Sequence, residues 1–424
     1  MTDLTKIHEK RMLILLNTLL ITFMANLDAS IINVALPMIA SSLKVSTELV
    51  AWSVTIYLLV IVSTILIFGR LGDIFGKSKV FLLGIFIFTL GSLFCGLADT
   101  FILLLLARAV QGLGAAAAMS TVQGIITEVF RANELGKALG MTGSFVALGA
   151  MAGPPIGGFL INYLSWHYIF FINVPVGIIA FLWGLRIMPR QSNKKVGSMK
   201  LLDWQLFKNK DFSFSIFCSF LSFTAITGST IILPFYLQQT LQYSPATTGL
   251  ILMFSPLILG VGAPLSGHLS DKIGAEILTF IGLAISSCGL VLLATLSETT
   301  AVFDILLFIG IMTGGNAIFQ APNNSLTMSY APSNMLGMAG SVNALTRNVG
   351  MITGVTLSVF ILYNKMSAYL GYPVSSYSSG QDEAFLYGLS WVYCVSALIC
   401  LVGAILAGMR CYKKRSLEQS KCKK

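Results

Sequence analysis

Twelve apolar stretches of roughly 20 residues or more follow one another along this 424-residue chain, and that succession decides which solvent it can fold in. They lie near 12 to 36, 49 to 68, 79 to 98, 102 to 126, 137 to 162, 167 to 187, 212 to 237, 246 to 266, 276 to 296, 303 to 328, 337 to 362 and 385 to 409. A segment of this length crosses the hydrocarbon as a helix, whereas a membrane strand needs only about 10 residues. Charged residues make up 10% of the chain, against about 25% in a soluble domain. The reading is therefore an all-α polytopic membrane protein.

Where the charges fall orients the spans. With both termini inside, the cytoplasmic segments and the helix ends abutting them hold 23 of the 27 Lys and Arg; Lys44 and Lys365 fall outside, and Arg108 and Arg347 fall within spans. The net charge of +10 is thus read as a positive-inside signal, and the basic tail at 410–424 as an anchor near anionic lipid, with no nucleic-acid partner. The seven cysteines show no Cys-x-x-Cys spacing, so neither a metal site nor a disulfide framework is expected. No Walker-type loop is present, no cofactor is expected, and active transport would draw on an ion gradient.

The chain also matches itself. "LGMTGSFVALGAMAGPPIG" from Leu139 aligns with "LGMAGSVNALTRNVGMITG" from Leu336, an offset of 197. Leu36-Pro37 recurs as Leu233-Pro234, and "GRLGDIFGK" from Gly69 recurs as "GHLSDKIGA" from Gly267. Six is an even number of spans, so the two copies share one orientation, related by an axis along the membrane normal. The expected organisation is an N-terminal six-helix bundle at 1–187, a cytoplasmic linker at 188–211, a C-terminal six-helix bundle at 212–409 and the tail.

Side chains that one copy holds and the other lacks are the candidates for chemistry. Asp28, halfway along the first span, is the one acid near the middle of any stretch, and it maps onto Ala225; Arg347 maps onto Ala150. An ionisable group in a span costs about 2.5–3.5 kcal/mol on insertion scales and usually marks a transport path or proton relay. Asp28 is read as a carboxyl that alternately takes a proton and substrate, against the plainer reading of a structural partner for a buried arginine. Arg108 and Gln111 lie one turn apart on the fourth span. Asn316 and Gln320 share a face of the tenth span, and Asn343 stands one turn before Arg347, making these four candidates for a substrate cavity with Asp28 and Gln111. Gly149, Gly153 and Gly157 repeat every four residues and read as a face for close helix packing. At the boundary, Asp73 is expected to cap a helix N-terminus, and Glu128 to pair with Lys77 or Arg70.

"LDASIINVALP", "GRLGDIFGKSK", "LLLARAVQGLGAA", "GAMAGPPIGG" and "WHYIFFINVPVG", followed by "LPFYLQQTLQYSPATTGL", resemble the motifs of the major facilitator superfamily in their usual order. Within it they are similar to the drug:proton antiporters usually described with fourteen helices. Two central helices have no room here, so the resemblance implies a twelve-helix member in two pseudo-symmetric bundles. It also implies proton-coupled export of amphipathic toxic compounds, lipophilic and cationic or zwitterionic, from the cell membrane by alternating access. Arg108 would lie beside the proton-binding acid. Gly149, Gly153, Pro154, Gly157 and Gly158 would form the antiporter motif. Gly69, Arg70, Asp73, Gly76 and Lys77, with Glu128 and Asp271, would form a cytoplasmic gate latching the bundles. The alternatives are a proton-coupled exporter of one physiological anion or zwitterion and, from another class, a transport-inactive membrane receptor.

Overall fold

The computed structural model describes residues 2–130, 132–189, 205–332, 336–377 and 380–422; the surroundings of the side chains at 2–9, 132–140, 143, 205, 271, 336–338, 341 and 413–422 lie outside that description. In chain order the helices of the first half are α1 (Thr2–Ser42), α2 (Thr47–Val50), α3 (Trp52–Phe75), α4 (Lys77–Gly96), α5 (Phe101–Val129), α6 (Ala132–Tyr163), α7 (Tyr168–Phe171) and α8 (Asn173–Ile187). Those of the second are α9 (Gln205–Lys208), α10 (Lys210–Phe235), α11 (Pro245–Ile273), α12 (Ala275–Leu293), α13 (Val302–Ser329), α14 (Leu336–Leu370) and α15 (Asp382–Cys422). Among the described residues, twelve helical segments are long and apolar enough to span a membrane.

Several ends differ from the sequence reading. The first helix begins at Thr2, and α14 runs on to Leu370, carrying Lys365 into the helix, where its Nζ sits 3.8 Å from the centre of the Trp391 ring. An apolar window registers hydrocarbon and misses the polar turns that continue a helix beyond it. The longer α14 also places Arg347 about a third of the way along the helix. The sixth span is interrupted at Ile172, two residues before Val174-Pro175, because a proline lacks the N–H that would continue the ladder. Beyond Pro234, α10 ends in a π-helical turn, Tyr236–Thr240. The predicted linker survives as described structure only in its flanks, since 190–204 lies outside the described residues.

The chain divides into two units, Met1–Leu201 with Tyr243–Met253, and Leu202–Gln242 with Phe254–Lys424. The division at 201 falls inside the predicted linker, but the assignment of the first turns of α11 to the first unit had no counterpart in the sequence reading. Those turns seat on α6: a Cβ added at Gly158 would lie 3.0 Å from Ala246 Cα, and one at Gly249 would lie 2.9 Å from the Pro154 carbonyl carbon.

The duplication is visible in the backbone. Gly76 between α3 and α4 has φ 101°, and Gly274 between α11 and α12 has φ 99°; side chains with a Cβ rarely adopt this region, which is why the motif keeps its last glycine in both copies. Asp73 does not cap a helix N-terminus. It lies in the last turns of α3, and α4 takes the backbone of Gly76 as its cap without a side-chain bond. The α4/α5 crossing in the first unit repeats as α12/α13 in the second. Gly91 allows α4 to lie against the backbone of Gln111, where a Cβ would come within 2.5 Å of its nitrogen; Gly289 allows the same approach to Met312.

Candidate functional site

Four helices of the first unit bring a polar cluster together in an apolar interior. Asp28 comes from α1, Arg108 and Gln111 from α5, Ser92 from α4 and Asn173 from the first turn of α8. Asp28, Arg108, Gln111 and Ser92 are 0% exposed and Asn173 is 1% exposed. Arg108 Nη1 donates to Asp28 Oδ2 at 2.7 Å and to Gln111 Oε1 at 2.6 Å, while its Nε donates to the Ser53 carbonyl at 3.1 Å. The other carboxylate oxygen, Oδ1, accepts from Gln111 Nε2 at 2.8 Å and from Asn173 Nδ2 at 2.7 Å. Gln111 Nε2 also donates to Ser92 Oγ at 2.8 Å. The guanidinium lies over the Tyr57 ring, 4.2 Å from its centre, with Phe170 at 5.8 Å. Three N–H donors converging on two oxygens is the complement of a carboxylate, which only accepts; a carboxylic acid would have to donate from one of them. Arg108 Nη2 has no hydrogen-bond partner.

The packing explains why these groups meet. The ladder Gly149, Gly153 and Gly157 faces α1 on both sides of Asp28: added Cβ atoms would lie 3.1 Å from Leu27 N, 2.9 Å from Ile31 N and 3.1 Å from Ile31 O. Ser30 Oγ donates to the Gly149 carbonyl at 3.4 Å across the same contact. On the opposite side, Gly91 sets the depth at which Gln111 enters. Buried ion pairs seldom repay their desolvation, so the cluster contributes little net stability, whereas removing one partner leaves a costly bare charge.

In the second unit the equivalent places are apolar. Asp28 maps onto Ala225 by the repeat; the α4/α5 and α12/α13 crossings superimpose Gln111 on Met312 and hence Arg108 on Ile309, all three 0–1% exposed. Among the described residues, no hydrogen bond joins Asn316, Gln320, Asn343 and Arg347 to one another. Asn316 accepts from Ser222 Oγ at 3.4 Å, and Gln320 is partly buried. Asn343 Nδ2 donates to Asn324 Oδ1 at 3.0 Å, and Arg347, one turn on, is partly buried with its Nε unpartnered. Asp28 and Gln111, predicted to line a cavity, instead lie inside closed packing of the first unit.

At the Gly76 turn, Lys77 Nζ donates to Glu128 Oε1 at 2.7 Å and stands 3.9 Å from Asp73 Oδ1. Its aliphatic stem crosses Gly124, where a Cβ would lie 2.7 Å from Cδ. Of the two partners named for Glu128, Lys77 is the one described; Arg70 is partly buried one turn before Asp73's end of α3. Gly69 meets α5 loosely, its added Cβ 3.9 Å from Ser120 Cβ, and Gly267 repeats that spacing against Ala321. Asp271 belongs to α11, and its side chain lies outside the described residues.

The sequence reading missed Asn173, Ser92, Ser53 and Tyr57. Asn173 carried a signal, an amide two residues before a proline within an apolar run; the others had none, since a serine, a carbonyl or a tyrosine becomes a partner only through the crossing that delivers it.

A family model described as Major Facilitator Superfamily matches residues 18–355. The chain belongs to the Major Facilitator Superfamily. It is a transporter-family protein and not an enzyme. It is 31% identical to the riboflavin transporter RibZ of Clostridioides difficile, over 91% of this chain and 94% of that protein. It is 27% identical to the multidrug resistance protein Stp of Mycobacterium tuberculosis, over 86% and 78%. Among solved structures it is similar in fold to a bacterial homologue of the human lysosomal transporter Spinster, in an inward-facing and unoccupied conformation. The TM-score is 0.75 at 17% identity, covering 94% of this chain and 96% of that one.

Proposed function

We propose that this member of the superfamily is a proton-coupled exporter of amphipathic small molecules, with Asp28 as the coupling carboxylate. The observation that carries the reading is a fully buried Asp28–Arg108 pair at 2.7 Å that the duplicated unit replaces with alanine and isoleucine. A pair needed only for folding a six-helix bundle would be needed twice. Protonation of Asp28 removes one charge of the pair and turns an oxygen from acceptor into donor, so the donors from Arg108, Gln111 and Asn173 can no longer all be satisfied. The closed packing around α1, α5 and α8 then has a reason to rearrange, and return of the proton restores it. Alternating access between the two bundles, with both termini cytoplasmic in the cell membrane, follows the positive-inside distribution.

A shallow apolar groove of about 340 Å³ lies between α3, which contributes Leu59 and Val60, and α5, which contributes Leu106, Val110 and Leu113; Leu59 and Leu106 are exposed, so it opens on the outer surface, where a lipophilic compound would partition. Relatives named for multidrug resistance, transport or export support the same class. A second reading, export of one metabolite, is supported by the likeness to a protein named for riboflavin. The test is purified protein in liposomes under an imposed pH gradient, with proton flux followed as ethidium (a cation), norfloxacin (a zwitterionic amphiphile) or riboflavin is added. Coupled flux in the wild type and none in Asp28→Asn, with the variant folded, is the expected result. Flux unchanged in Asp28→Asn removes Asp28 from the mechanism, and a response to riboflavin alone selects the second reading.

A further inference from the structure

Among the described residues, Arg347 forms no ion pair. No acidic residue occurs anywhere along α14, Leu336–Leu370. On the helices packed against it, the described acids are Asp211 on α10, Asp304 on α13, and Asp382 and Glu383 on α15, all in first turns. The ion pairs found among the described residues all belong to the first unit. Arg347 Nε is buried with no hydrogen-bond partner, and one turn earlier Asn343 Oδ1 is likewise buried and unpartnered, its amide nitrogen being committed to Asn324. Residues at i and i+4 face the same way, with Cβ atoms about 5–6 Å apart. A donor that must carry charge and an acceptor that must accept are thus left open side by side in a span, where unsatisfied polar groups are expensive. The first-half copy holds Val146 and Ala150 at these positions, so packing of the repeated helix does not require them.

We infer that Arg347 and Asn343 recognise the anionic end of the transported compound: a carboxylate or phosphate group on the guanidinium, and an N–H or O–H donor of the same molecule, one helical turn away, on Asn343 Oδ1. This rests on the transporter reading and narrows it to anionic or zwitterionic amphiphiles. Guanidinium pairs bidentately with such oxyanions, and an ordinary cation gains nothing from the site.

The test is the thermal midpoint of purified full-length protein in neutral detergent, at constant ionic strength, with chloride replaced by benzoate, 4-hydroxybenzoate or inorganic phosphate, or with phosphatidylglycerol added. Benzoate or phosphate is expected to raise the midpoint above chloride, with 4-hydroxybenzoate stronger than benzoate. Arg347→Gln should weaken that binding at least about tenfold, Arg347→Lys less, and Asn343→Leu should erase the advantage of the hydroxyl. No anion-specific rise, or an equal rise in Arg347→Gln, overturns the assignment; so does an Arg347-dependent rise with phosphatidylglycerol alone, which would make this a lipid headgroup site. Should Arg347→Gln not fold, the lysine and leucine variants decide by the same comparison. Proton flux in liposomes is read separately: its absence alongside Arg347-dependent anion binding would sink the transport reading and leave the binding site standing.

Discussion

Neutralising the buried pair one side at a time, and then both sides together, tests whether Asp28 and Arg108 act as a unit. In Arg108→Gln the carboxylate keeps two donors, Gln111 and Asn173, but loses the charge at 2.7 Å; the variant also loses the bond to the Ser53 carbonyl and the contact with the Tyr57 ring. In Asp28→Asn the guanidinium remains at 0% exposure with no opposing charge. Each change leaves a bare buried ion and is expected to cost about 3–5 kcal/mol. The double variant Asp28→Asn, Arg108→Gln buries no charge, and its amides can still bond to each other and to Gln111 and Asn173. It should fall within about 2 kcal/mol of wild type, since neutral replacements of buried pairs are often tolerated. The coupling energy is then several kcal/mol, at or above the upper end for residues in contact. Reversible unfolding in mixed detergent micelles containing dodecyl sulfate, followed by tryptophan fluorescence, measures all four proteins. Costs that add to within about 0.5 kcal/mol would refute the reasoning, because independent sites add and a shared charge pair cannot.

Asn173→Ala removes one donor from Asp28 Oδ1 and should cost about 1.5–3 kcal/mol; it should also lower proton flux per substrate exported in liposomes, and unchanged coupling would reduce Asn173 to packing. Gly91→Ala forces a Cβ against the Gln111 backbone and should destabilise by about 1–3 kcal/mol in the same unfolding assay, whereas Gly314→Ala, with nothing within 4 Å, should be near neutral. Gly76→Ala should cost about 1–2 kcal/mol for its positive φ, and Gly69→Ala, meeting Ser120 only at 3.9 Å, much less. Lys77 and Glu128 are 25% and 38% exposed, so Lys77→Ala should cost no more than about 1 kcal/mol, fading in high salt. The exchange Lys77→Glu with Glu128→Lys should recover it, and no recovery would show the lysine stem on Gly124 to matter more than the charge.

The fold was legible because its determinants are local. Runs of about 20 apolar residues imply helices, the repeated Leu-Pro and Gly-x-Leu-x-Asp-x-x-Gly imply a duplication, and the glycine before each hairpin's second helix implies a turn that only glycine makes without strain. Asp28, Arg108 and Gln111 stood out for the same reason, as polar side chains in spans with no counterpart in the other copy. What could not be read was the set of partners. Asn173 reaches Asp28 across 145 residues, and Ser92 reaches Gln111 only because Gly91 beside it allows two helix backbones to touch.

The sequence by itself determined a membrane-spanning duplicated bundle and named the charged residues that cannot be there for packing alone, since hydropathy, periodicity and symmetry are properties of the chain as written. Only the tertiary structure decided that Asp28 is met by three N–H donors while Arg347 Nε finds no acceptor, because the energy of a buried charge depends on which helix faces deliver partners to it. The two arginines look alike in the sequence; only Arg108 is given a carboxylate, an amide oxygen and a backbone carbonyl to donate to.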